Sequence, residues 1–304
     1  MIGRLSACGN GAVGRRTPTT DVAGTGSPFE YDVSRMADNE EKLVVNVDLD
    51  RICEPASKAI RRAYVFSGFA INAATRAGLN TYHLPGKMQF RFVPDSPTAK
   101  MTEEYKAEFM AWAIGNALRE VIEGFGVFLD RTCSACLELS RISNQVDLSD
   151  FYQSFEQKGV ARKLRDLATQ FGIKLDVADG FDSLTAARNC LSHRRGVVEA
   201  RDCNEGSKLV VRYWEPAVIV QQPDGSKLRA DRVINEAIVL KEGDVLAMRI
   251  QETAKEFPIG SLIKLTPEDV KNILWTMWTA TFNLRAAFVN YLNVLNRRTG
   301  KPTD

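Results

Sequence analysis

The sequence predicts a mainly α-helical protein with a small β-rich segment inserted before the last helix. Over most of the chain, apolar residues recur at three- and four-residue spacing, which is the pattern of amphipathic helices. Between residues 201 and 263 Val, Ile, Tyr and Trp become frequent, and the run Pro223-Asp224-Gly225-Ser226 is typical of a turn. We therefore expect an up-and-down helical bundle, interrupted by a β-hairpin or small sheet.

The composition of the chain is that of an ordinary globular protein. The 304 residues carry a formal net charge of +2, so no protein-wide field that attracts nucleic acid is implied. The six cysteines are irregularly spaced, which favours a reducing, cytoplasmic environment over a disulfide framework. No apolar run reaches the roughly 20 residues that a membrane span needs, and we expect no association with a membrane.

The first 40 residues are rich in Gly, Thr, Ser and Arg and predict a disordered tail. The GxGxxG pattern that begins at Gly9 lacks the strand and helix that a dinucleotide site requires. Met36 is an alternative start, which would make the preceding residues an upstream extension. Residues 41–98 predict a short strand at 43–49, a helix at about 54–77 and an extended connector at 81–97. The connector contains His83, for which we expect a surface or structural role.

Helical patterns continue through residues 102–142 and 148–171. Gly124 and Gly126 lower helix propensity by about 1 kcal/mol each, so we expect a bend or break near them. Cys133 and Cys136 form a CxxC pair without a second ligand pair, which predicts buried thiols rather than a zinc site. The second helix carries a basic stripe, for which a solvated face is the simplest interpretation; the stripe consists of Lys158, Arg162 and Arg165.

The next helix, residues 182–195, contains the most informative stretch. Leu184, Ala187 and Leu191 fall on one apolar face, and Gly196 predicts the end of the helix. Asn189 and His193 then point outward together, four residues apart. After it, 208–221 and 228–240 predict strands, and 244–257 predicts either a strand or a short helix. Thr-Pro-Glu-Asp at 266–269 is a strong start for the final helix, which should run to about residue 296.

Arg188-Asn189-x-x-x-His193 resembles the Arg-x4–6-His signature of the HEPN (higher eukaryotes and prokaryotes nucleotide-binding) superfamily, in which Asn commonly follows the arginine. The resemblance implies a bundle of four or five helices, which we place at residues 99–200 and 264–297, with 201–263 as the insertion. It further implies a homodimer through the 182–195 helix and cleavage of RNA without metal or cofactor at a composite site. A toxin, antiviral or RNA-processing context follows, with an antitoxin or nucleotidyltransferase as a further partner.

Carried over to this chain, the motif makes His193 the general acid/base and Arg188 the phosphate clamp, while Asn189 orients the histidine or hydrogen-bonds across the dimer interface. The residue chemistry agrees: attack by the RNA's own 2′-OH needs a group that titrates near neutrality, and arginine suits the charge developing on phosphate. Nearby side chains could hold flanking phosphates; these candidates are Lys158, Arg162, Arg165, Ser192, Arg194 and Arg195.

Two alternatives stay open at this point. A HEPN-like module without nuclease activity could bind RNA or nucleotides, or serve as a protein-interaction scaffold. In that case the Asn189/His193 pair would contribute hydrogen bonds, not catalysis. The motif could also be a chance match in an unrelated helical protein, and Arg188 and His193 would then be surface residues that are not paired in space.

Overall fold

The structure is a computed structural model and describes residues 29–35, 41–75, 96–144, 149–175, 178–229 and 240–298. The GxGxxG pattern, Met36, His83 with most of its connector, and most of the strand predicted at 228–240 lie outside these residues. The chain divides into two compact units, Met1–Asn46 and Val47–Asp304.

The first unit contributes a two-stranded sheet. Its strands are β1, Phe29–Arg35, and β2, Glu41–Val47. The strand predicted at 43–49 is therefore present, shifted by two residues. The expectation of a disordered tail through residue 40 differs from the structure at β1, because the Gly- and Ser-rich composition gives way to Phe29-Glu30-Tyr31-Asp32-Val33 there.

The second unit is mainly helical, as predicted. Its helices are α1 (Leu49–Thr75), α2 (Ala99–Asn144), α3 (Ser149–Glu156), α4 (Val160–Phe171), α5 (Ala178–Arg194) and α6 (Pro267–Arg298). The helix predicted at 148–171 is split, because Gly159 takes an extended conformation and caps α4. Gly172, with φ 71°, ends α4 in the left-handed region that favours glycine.

Contrary to expectation, α2 runs unbroken through Gly124 and Gly126. Gly124 serves close packing: a Cβ there would meet the Cβ of Ala59 and lie 2.9 Å from the carbonyl oxygen of Pro55 in α1. Helix α1 packs along α2 and also contacts α6. The division expected at residue 98 therefore does not separate α1 from the bundle.

A three-stranded antiparallel sheet precedes α6, as predicted. Its order is β4-β3-β5, with β3 at Lys208–Gln221, β4 at Lys227–Arg229 and β5 at Val245–Pro258. The register of β3 and β5 runs from Lys208 opposite Pro258 to Gln221 opposite Val245. The alternative left open at 244–257 is thus resolved as a strand. The sheet packs through β3 against α5 and α6.

The main core lies between α2, α5, α6 and the near half of β3. Phe125 of α2 stacks on Phe181 of α5, with ring centroids 4.8 Å apart. Leu209 and Val211 of β3 and Met277 of α6 are fully buried. Burial of each such side chain stabilises the fold by about 1.5–3 kcal/mol. Among the described residues, none of the helices combines the length and hydropathy required of a membrane span.

Candidate functional site

Helix α5 begins at Ala178, four residues before the predicted start, and presents its apolar face to the core. Leu184, Ala187 and Cys190 are buried on that face, whereas Asn189 is half-buried and His193 is exposed. The three- and four-residue spacing that buries one side of the helix turns the other side outward. The outward orientation of Asn189 and His193 is therefore as the spacing predicted.

The carboxyl end of α5 is anchored to the segment that precedes α6. Arg195 and Gly196 have positive φ angles of 52° and 80°. The amide of Gly196 donates to the carbonyl oxygen of Cys190 at 3.1 Å, and Gly196 accepts from the amide of Ile263 at 2.8 Å. Val198 donates to Ser261 at 2.9 Å. These bonds satisfy backbone groups that the helix end leaves unpaired, and they fix the position of the last turn of α5, which carries His193.

Arg194 forms a buried, bidentate ion pair with Asp202 of the short 3-10 turn Ala200–Asp202. The two side chains are only 11% and 2% exposed. Asp202 also accepts from the amide of Glu199 at 2.9 Å. Burial alone would raise the pKa of Asp202, but the Glu199 amide and Arg194 outweigh it and hold this pKa below its usual range. The Arg194 guanidinium is thus already bound within the protein.

An open depression of about 400 Å³ lies beside His193. It is lined by Asp182, Thr185, Ala186, Asn189, His193, Arg194, Arg201 and Asp202. Within the part of the chain that the structure describes, the side chains of Asn189 and His193 have no hydrogen-bond partner or ion pair. Arg201 reaches the depression from the 3-10 turn and pairs with Glu199 at 2.7 Å, with more than half of its side chain exposed. The depression thus combines a histidine, an amide and a solvent-facing cation.

Arg188 does not line this depression. It shares a side of α5 with Leu191, and a Cβ on Gly115 of α2 would lie 3.4 Å from the Cβ of Leu191. The Nε atom of Arg188 is buried and has no hydrogen-bond partner among the described residues. Such a group calls for an explanation, because buried donors are nearly always paired. A single chain therefore does not bring Arg188 and His193 to one depression.

The other predicted RNA-binding residues fall into two groups. Lys158 and Arg165 form ion pairs, with Asp166 at 2.7 Å and with Asp182 at 2.6 Å. The remaining side chains are exposed; they are Arg162, Ser192 and Arg195. The sequence reasoning missed Asp182 and Thr185, although both could have been found by stepping back from His193 at helical spacing.

The CxxC thiols are buried, as predicted. Cys133 and Cys136 are both 0% exposed, and burial raises the pKa of each above its usual range. In the described ranges, no group of three or more His, Cys, Asp or Glu side chains is placed to hold a metal ion.

Comparison of the chain with models of known protein families, with curated proteins and with solved structures found no match.

Proposed function

We propose that this protein is a metal-independent endoribonuclease of the HEPN type that acts as a homodimer. The observation that carries the proposal is the exposed imidazole of His193, which has no partner among the described residues and lies in an open depression together with Asn189 and Arg201. An imidazole that has no partner among the described residues is available to a ligand, whereas a paired one would be committed to the fold.

The reaction needs a base to take the proton of the 2′-OH and an acid for the departing 5′-oxygen. His193 can serve in these steps because imidazole changes its charge near neutral pH. Asn189, one helical turn earlier, is placed to hydrogen-bond either the imidazole or the sugar. Arg201 offers a guanidinium for the phosphate, on which negative charge develops in the transition state.

The dimer in this proposal accounts for the position of Arg188, away from His193 of the same chain. The signature requires an arginine and a histidine at one site, and one chain keeps them on different sides of α5. A two-fold axis beside α5 would bring Arg188 of one copy toward His193 of the other. The guanidinium, whose Nε has no partner in the described part of one chain, would then meet either the substrate phosphate or the second copy.

The test is cleavage of single-stranded RNA by the purified full-length chain in EDTA. We expect products with 2′,3′-cyclic phosphate ends. His193→Ala should lower the rate by about 10²- to 10⁴-fold, which is the usual contribution of a positioned acid/base. Arg188→Ala should lower it by about 10²- to 10³-fold, which is typical of a group that stabilises charge in the transition state. His83→Ala, which removes the only other histidine, and Arg249→Ala, on an exposed part of β5, are the matched controls and should leave the rate unchanged. Unchanged cleavage in either motif variant would refute the proposal.

A second candidate is a HEPN-like module that binds RNA or a nucleotide without cleaving it. The separation of Arg188 from the His193 depression favours it, since a non-catalytic module does not need the two side chains at one site. It predicts binding of single-stranded RNA by wild-type protein with no product in EDTA. His193→Ala would then weaken binding, and no variant would change a rate.

A further inference from the structure

An apolar groove of about 560 Å³ lies between the carboxyl-terminal half of α1 and the amino-terminal half of α2. Its floor is made of small side chains, among them Ala63, Ala70 and Ala117. Its rims carry aromatic side chains that remain exposed; these are Phe66 (57%), Phe69 (68%), Phe109 (37%) and Trp112 (66%). Contiguous exposed apolar surface of this kind marks interaction sites.

The charges named beside the groove are of both signs, with one more cation than anion. Glu120 lines it and pairs with Arg62 at 3.1 Å, and the guanidinium of Arg62 lies 5.9 Å from the centre of the Phe66 ring. Arg119 adds one further cation. Surfaces that bind nucleic acid are strongly positive, and this one is not. A protein surface that likewise carries both signs of charge is the better fit.

The outward face of α5 cannot by itself hold two copies together. Its exposed and half-exposed residues are small or polar; they are Asp182, Thr185, Ala186, Asn189, Ser192 and His193. Stable interfaces need a desolvated apolar or aromatic centre, and hot spots are enriched in Trp and Tyr. A dimer that joins two α5 helices must therefore find its apolar contacts on a neighbouring element.

The neighbouring element is α2, which forms one wall of the groove. Trp112 lies one helical turn before Gly115, the residue at which α2 approaches Leu191 of α5. Three residues of α-helix rise about 4.5 Å, so the aromatic rim begins close to the point where α2 contacts Leu191 of the motif helix. At about 200 Å² per aromatic side chain, the four exposed rings leave on the order of 450 Å² accessible. That is about half of the roughly 800 Å² that each partner buries in a standard interface.

We propose that this groove is the dimerisation surface and that its occupant is the same groove region of a second copy of this chain. The inference rests on the proposed function for the need of a dimer, and it adds the surface that holds the dimer together. Aromatic side chains of each copy enter the groove of the other, and Arg119 faces acidic side chains such as Glu120 across the two-fold axis.

The experiment is sedimentation of the full-length chain over a range of concentrations, without RNA. Wild type should be a dimer in the micromolar range. Trp112→Glu and Phe69→Glu, tested separately, should each raise the dimer dissociation constant by about 30-fold or more, because each places a charge in the centre of the interface. Both positions are exposed in the single chain, so circular dichroism should show an unchanged helix content.

The matched control is Trp278→Glu. Trp278 is 55% exposed and stacks on exposed Phe282 at 6.1 Å, as Trp112 stacks on Phe109 at 6.3 Å, but it lies on α6. This variant should dimerise like wild type. A monomeric wild type, or a groove variant that stays dimeric, overturns the inference. Groove variants that remain dimeric but lose RNA binding would identify the groove as an RNA path instead. Loss of cleavage in His193→Ala at unchanged mass concerns the proposed function alone.

Discussion

Two polar clusters, one around Asp269 and one around His193, differ in how completely their side chains are hydrogen-bonded. At Asp269, near the start of α6, both carboxylate oxygens have partners. Its carboxylate accepts from the Tyr213 hydroxyl at 2.6 Å, from the amide of Thr266 at 2.6 Å and from the hydroxyl of Thr266 at 2.7 Å, and it pairs with Lys255. Around His193, the side chains of Asn189 and His193 are without a partner among the described residues.

The difference separates groups that hold the fold from groups that remain available. A closed network of buried hydrogen bonds stabilises one conformation and leaves nothing for a ligand. An open cluster contributes little to stability, since water satisfies it equally well. In the depression the two kinds of group are neighbours in sequence. The His193 side chain has no partner among the described residues, whereas the Arg194 side chain is bound by Asp202.

The largest effect on the free energy of unfolding should appear when Arg194, rather than its neighbour His193, is replaced. Arg194→Ala leaves the Asp202 carboxylate, which is 2% exposed, without its cation and should lower the free energy of unfolding by about 3 kcal/mol. His193→Ala removes an exposed side chain and should change it by less than about 0.5 kcal/mol. Urea unfolding of the two variants beside wild type measures both. Equal losses would show that His193 is also part of a closed network.

How much of this contrast the sequence could predict depends on whether contacts are local. The spacing of Leu184 and Ala187 was enough to turn Asn189 and His193 outward, because a helix repeats every 3.6 residues. The ion pair of Arg194 with Asp202 could not be predicted in the same way. It depends on the 3-10 turn eight residues later and on its own hydrogen bonds, so Arg194 was expected to bind RNA instead.

Packing between helices explains the remaining differences. Gly124 suggested a break in α2 because helix propensity considers one segment at a time, whereas the residue is small so that α1 can approach. Arg188 lies on the side of α5 that carries Leu191, where α2 approaches at Gly115, and the pattern of α5 alone does not show that approach. The broad division into helices and a late sheet needs only periodicity and turn residues, and it was predicted.

A smaller effect should appear in acid. At Asp269, burial alone would raise the pKa of the carboxyl, but Lys255, Tyr213 and Thr266 outweigh it and hold this pKa below its ordinary value. A depressed native pKa adds stability above the unfolded-state value of about 4, and that stability is lost as the pH falls from there through the lower native pKa.

We therefore expect the free energy of unfolding of wild type to fall steeply below about pH 4. The slope should be shallower in Asp269→Asn, which has no proton to take up at this position. His193→Ala should reproduce the wild-type slope in this range. Urea unfolding between neutral pH and pH 3 measures all three, and identical slopes in wild type and Asp269→Asn would contradict the assignment of the closed cluster.

The smallest effect should come from the outer rim of the depression. Arg165 of α4 pairs with Asp182 of α5 at 2.6 Å, but the side chains are 50% and 54% exposed. Solvent-exposed pairs contribute about 0–1 kcal/mol and are screened by salt. Arg165→Ala should therefore lower the free energy of unfolding by less than about 1 kcal/mol, and by less again at high salt. A loss as large as that of Arg194→Ala would place the rim with the closed clusters, and only the imidazole and amide at its centre would remain open to a ligand.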